Sequence, residues 1–162
     1  MFILVKSMPL IARPSATNVQ GVWTGQDGGI QLHTYVDEFV TDDSDFIKQT
    51  FGGGGGSCDL ALGFFPNVPV VPAARHEITF RAKYDNSLGG TFTFNAGISS
   101  GATPVWSVAG LNVPGGFVTY TFPLTPAQAA NISSYSNLRI VFSGSGVGQA
   151  EFGVSWVQFR RY

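Results

Sequence analysis

Apolar and polar residues alternate with a period of two along most of this chain. Val118, Tyr120 and Phe122 interleave with Thr119 and Thr121, and Leu138, Ile140 and Phe142 resume the pattern further on. Ile78, Phe80, Ala82 and Tyr84 fall on one face of HEITFRAKY, as do Phe92, Phe94, Ala96 and Ile98 of TFTFNAGI. Alternation of this kind predicts strands with one buried face, since successive side chains of a strand point to opposite sides. Further strands are expected at 58–65, at 103–108 and in the closing AEFGVSWVQF, where Trp156 continues the inward series of Phe152 and Val154. An early strand is expected in IQLHTYVDEFV from Ile30, Leu32 and Val36.

One helix interrupts the pattern. Thr125 followed by Pro126 supplies a side-chain oxygen for unpaired N–H groups and a ring-fixed φ for the first turn, which predicts a short helix near 125–132. Strands joined by long crossings, without helices between parallel strands, predict an all-β antiparallel sandwich of the jelly-roll kind. The expected organisation is an extended N-terminal arm over 1–15 and a single sandwich domain over 16–162.

The arm carries Phe2, Ile3, Leu4, Val5, Leu10 and Ile11 with one charge, Lys6, and Pro9 and Pro14 favour extended backbone. Lys6 breaks the apolar run that a signal peptide needs, and the run is too short to span a bilayer. These apolar residues must lie against something, either as an edge strand of their own sandwich or, the expectation adopted here, at an interface with another chain, in a homodimer or homotrimer or on a particle. Gly52–Gly56 offers no side chain for packing and lacks the Gly-Lys-Ser/Thr ending of a phosphate loop.

Composition narrows the function. Charged residues make up 12% of the 162, about half of ordinary usage, while 44% are hydrophobic. A formal charge of −1 does not provide the basic face that nucleic-acid binding requires. The single Cys58 permits no internal disulfide and sits among alternating apolar residues, as a buried small hydrophobe would. No cofactor-binding motif is present, and no membrane contact is expected.

Asp37, Asp42, Asp43 and Asp45 form the one acidic cluster that could supply oxygen ligands to calcium. Their spacing does not follow the EF-hand loop, however, and a solvated turn is the expected outcome. A glycosidase needs two carboxylates about 5–10 Å apart across a cleft. Asp37 and Glu38 are chain neighbours that a strand would point to opposite sides, so no enzyme is expected. Among the three tryptophans, Trp23 stands between Gly21 and Gly25 and is the candidate exposed, ligand-facing aromatic.

Patches of the chain resemble a family of tailed-bacteriophage structural proteins. RPSA, VWTG, LHTYVDE, the acidic DDSDFI, FPLTPAQAANISSYSNLRIVF and the closing VSWVQF occur in that order between residues 13 and 159. Thr125, Gln128, Ala129, Ile132, Tyr135, Leu138, Arg139 and Phe142 stand where the family's central motif has its fixed positions. The five glycines, Asn137 and the Arg-Arg-Tyr ending depart from it. The resemblance implies a virion protein made in the host cytoplasm, and a decoration or cement protein on the major capsid protein is the first expectation. A receptor- or glycan-binding module of a tail or head fibre is the alternative.

Overall fold

A computed structural model describes residues 9–40, 43–51, 55–63, 68–85, 87, 89–148 and 150–162. Among these residues ten strands are present: β1 (Leu10–Val19), β2 (Trp23–Gly25), β3 (Ile47–Phe51), β4 (Gly56–Gly63), β5 (His76–Asp85), β6 (Gly90–Ser100), β7 (Thr103–Leu111), β8 (Val118–Pro123), β9 (Leu138–Gly148) and β10 (Ala150–Arg161). All pair antiparallel, and the chain forms the sandwich that the alternation predicts.

Sheet I holds β2, β3, β10, β5 and β8, and sheet II holds β1, β4, β9, β6 and β7. β1 belongs to both. Leu10–Ala12 pair with Phe159–Arg161 of β10, and from Arg13 onward the strand pairs with β4. Position 15 lies inside this strand, so residues 10–15 are part of the sandwich and not of a separate arm. Pro14, which has no N–H to donate, sits where the register shifts. Leu10 and Ile11 are half-buried opposite Arg161 and Arg160, and Phe2, Ile3, Leu4 and Val5 lie outside the described residues.

Aromatic rings knit the two layers. Phe80 of sheet I meets Phe142 and Phe94 of sheet II at centroid distances of 5.4 and 6.3 Å, and Phe152 meets Phe94 at 5.1 Å. Phe80, Phe94, Leu138, Ile140 and Phe142 are buried, as the alternation predicts. Tyr120 is only half-buried. It lies on the edge strand β8 and turns its hydroxyl out to donate to the Asn112 carbonyl at 2.8 Å.

Three local readings are corrected. Leu32 and Val36 are buried, but in and beside a short 3-10 helix at Leu32–Tyr35 and not in a strand. Ile30 is 64% exposed, so the three residues do not share the strand face that their even spacing predicts, and Leu32 and Val36 are brought inward by the turn instead. Trp156 is buried on the outer face of sheet I, because a bulge between Val154 and Trp156 reverses the side on which it emerges. The helix α1 (Pro126–Ala129) is a single turn, closed by a capping box in which Thr125 and Gln128 satisfy each other's backbone N–H groups.

Candidate functional site

The outward side of sheet II is the candidate site. Inward placement of Cys58, Leu60, Ala96, Ile98, Ile140 and Phe142 forces their strand neighbours outward. The register then sets these neighbours in rows across the sheet. One row runs Ala16, Ala61, Arg139, Ser99, Pro104, the next Val19, Asp59, Val141, Gly97, Ser107, and a third Ser57, Ser143, Asn95.

Two hollows indent this face. The larger, about 410 Å³, is lined by Asn18, Ala61, Gly101, Ser136, Asn137, Leu138 and Arg139. The second, about 230 Å³, lies over Asn95, Gly97, Ser107, Ala109, Val141 and Ser143. Small residues leave the floors low, and no aromatic side chain lines either hollow.

Arg139 and Asp59 meet at the edge of the larger hollow. Arg139 Nη1 donates to Asp59 Oδ2 at 2.7 Å, Nη2 donates to the Gly101 carbonyl, and Asn18 Nδ2 donates to Asp59 Oδ1 at 3.2 Å. In the second hollow Asn95 Nδ2 donates to Ser143 Oγ at 3.3 Å, while Asn95 Oδ1 accepts from Gly110 N–H. This network holds its polar groups in fixed positions around open space. Such an arrangement suits hydrogen bonding to a polar ligand.

The acidic cluster is committed elsewhere. Asp43 takes two hydrogen bonds from Arg81, at 2.9 and 2.6 Å, and one from Ser155 Oγ at 2.7 Å. The Arg81 bonds hold its carboxyl below the usual range. Glu38, near Asp45 and Asp37, has its carboxyl pushed up to about 7, chiefly by burial. Asp42 lies outside the described residues, and among the described residues no three His, Cys, Asp or Glu side chains converge as metal ligands.

Trp23 is not a ligand-facing aromatic. Its side chain is 0% exposed, packed against Phe142, and its indole Nε1 donates to the Gly56 carbonyl at 3.4 Å. The flanking glycines serve turns, with Gly21 at φ 59°, while β2 itself pairs with β3 and carries the indole into the core. Cys58 is buried, and burial pushes its thiol pKa up, which keeps it protonated and unreactive. Among the described residues no helix is long and apolar enough to cross a membrane.

Alternation marks the inward residues of β4, β6 and β9, and the site is formed by their complement, which no sequence motif singles out. The signal was present: Asp59, Ala61, Asn95, Gly97, Ser99, Arg139 and Ser143 are the alternate positions of those same strands.

No protein-family model matches the chain, and no characterised protein matches it in sequence. Solved structures match it in fold. TmCBM61, determined in complex with β-1,4-galactotriose, aligns with a TM-score of 0.53 at 11% identity over 93% of this chain and 91% of that one. The enzymatically active domain of bacteriophage CBA120 tailspike protein 4 aligns with a TM-score of 0.52 at 14% identity, over 96% of this chain but 20% of its own. An arabinose-bound α-L-arabinofuranosidase, MgGH51, aligns at 0.51 and 10% identity over 93% of this chain and 26% of the enzyme. The class these likenesses define is an antiparallel β-sandwich of the jelly-roll kind. The chain spans nearly the whole of the first structure and about a fifth to a quarter of the other two.

Proposed function

We propose that this protein is a non-catalytic glycan-binding module, displayed on a bacteriophage tail or head fibre. The observation that carries this reading is the outward face of sheet II: a strip rich in Asn, Ser and small residues around one Arg139–Asp59 pair, indented twice and held by its own hydrogen bonds. Sugar hydroxyls both donate and accept, and Asn and Ser side chains answer both roles. The fold shared with TmCBM61 supports the reading. The phage setting is supported by the motif order between residues 13 and 159 and by the fold shared with the tailspike domain. A binding role without catalysis is supported by the carboxylates, because none lines either hollow and Asp59 beside them is tied to Arg139 and Asn18. The expected attachment to a capsid shell rests on the apolar arm, of which Leu10 and Ile11 are half-buried in β1 and residues 2–5 lie outside the described residues.

The test is retention on a glycan array by the protein and by Ser107→Trp, which fills the second hollow from an exposed position on β7. Retention by at least one glycan that Ser107→Trp abolishes, with the melting temperature unchanged, is the expected result. Retention that survives the substitution, or no retention at all, overturns the assignment.

A further inference from the structure

We infer that the face of sheet II selects uncharged glycan chains and rejects acidic ones; this rests on the glycan-binding reading and narrows it. Among the residues lining the two hollows, Arg139 is the one charged side chain. Its charge is already matched by a carboxylate, and two of its five N–H donors are taken. Nη1 donates to Asp59 and Nη2 to the Gly101 carbonyl, while Nε is buried without a partner and out of a ligand's reach. Recognition of a carboxylate or sulfate by arginine draws on an unmatched positive charge, and here Asp59 Oδ2 at 2.7 Å from Nη1 neutralises it. An incoming anion would also approach the Asp59 carboxylate. The side chains left to meet a ligand, Asn137, Ser136, Ser107, Asn95 and Ser143, are all neutral.

The same geometry sets the ligand's length. Arg139, in the larger hollow, and Val141, in the second, are two residues apart on β9, which is about 7 Å along a strand. From Asn18 on β1 to Ser107 on β7 the face crosses five strands, about 19 Å at ~4.8 Å per spacing. One sugar cannot reach both hollows, whereas a chain laid across the sheet can. With no aromatic platform beneath it, affinity comes from hydrogen bonds and grows with each added sugar until both hollows are filled.

The experiment compares neutral glycans (β-1,4-galactan, laminarin and a neutral bacterial O-polysaccharide array) with acidic ones (polygalacturonate, hyaluronan and a sialylated or sulfated array). Wild-type protein and Asp59→Asn are measured at low and high salt. Wild type is expected to retain neutral chains only, with affinity insensitive to salt, since no net charge is engaged. Asp59→Asn keeps the acceptor for Asn18 and uncovers Arg139, so retention of acidic chains should rise about tenfold, the worth of one charged hydrogen bond, and fade in salt. If Asp59→Asn does not fold, the salt series on wild type decides alone. Salt-sensitive retention of acidic glycans by wild type, abolished by Ser107→Trp, overturns this inference and leaves the glycan-binding reading standing. Absence of retention by every glycan overturns both.

Discussion

The indole Nε1 of Trp156 donates to the main-chain carbonyl of Glu38 at 3.0 Å, across the outer face of sheet I and away from the core. Neighbouring bonds fasten the same region. Val157 N–H donates to the Val36 carbonyl, and Ser155, displaced by the bulge, donates to Asp43. The segment after the Leu32–Tyr35 turn thus lies over sheet I and buries polar groups that an open sheet face would expose.

Partial burial of its side chain within this segment makes the fold sensitive to the charge of Glu38. Its carboxyl titrates near 4.5 when unfolded and at about 7 when folded, raised chiefly by burial and also by Asp45 and Asp37. Between those values the folded protein holds a proton that the unfolded chain has released, so stability falls as pH rises from about 4.5 to 7. Glu38→Gln, neutral at every pH, should flatten that descent in a series of thermal melts. An unchanged slope would remove Glu38 as its source.

His76 bends the profile the other way. It is wholly buried, with Nε2 2.7 Å from the Tyr135 hydroxyl, and burial chiefly lowers its pKa from 6.5, with Arg161 adding to the effect. The fold holds the neutral ring, so its contribution is intact above pH 6.5 and is lost as pH falls below that value. His76→Gln should reduce the acid-side loss and leave the Glu38 slope in place. The two slopes overlap, and melts of the two variants separate them.

Phe142 packs against Trp23, Phe80 and Phe94 at once. Phe142→Ala should cost about 3–5 kcal/mol in denaturant unfolding. Val118, 42% exposed on the edge strand, should cost under about 0.5 kcal/mol when cut to Ala. Equal losses at the two sites would contradict the assignment of the core.

Thr125→Ala removes one half of the capping box, in which Thr125 Oγ1 accepts from Gln128 N–H at 3.2 Å and Gln128 Oε1 accepts from Thr125 N–H at 2.8 Å. The expected loss is about 1 kcal/mol. Thr125→Ser, which keeps the oxygen, should recover most of it in the same unfolding assay.

Much of this architecture was legible because strand alternation is a local signal. Ile78, Phe80, Phe94, Ile140 and Phe142 declare their faces within a few residues of sequence. Other features depend on distant partners. The bulge at Ser155 is stabilised by Asp43, 112 positions earlier, and nothing beside Trp156 announces that its side is reversed. Trp23 among glycines looked exposed, yet its burial depends on β3 and on the Gly56 carbonyl. The candidate site was half-written: alternation places Asn95, Gly97, Arg139 and Asp59 outward, but only the strand order β1-β4-β9-β6-β7 gathers them into one strip.

Leu10 and Arg161 stand opposite each other on paired strands, about 5 Å apart, because β1 begins where β10 ends. The path through the sandwich thus enters and leaves at one corner. Residues 10–161, grafted into a surface loop of another protein, would therefore part that loop by only the width of a strand pair.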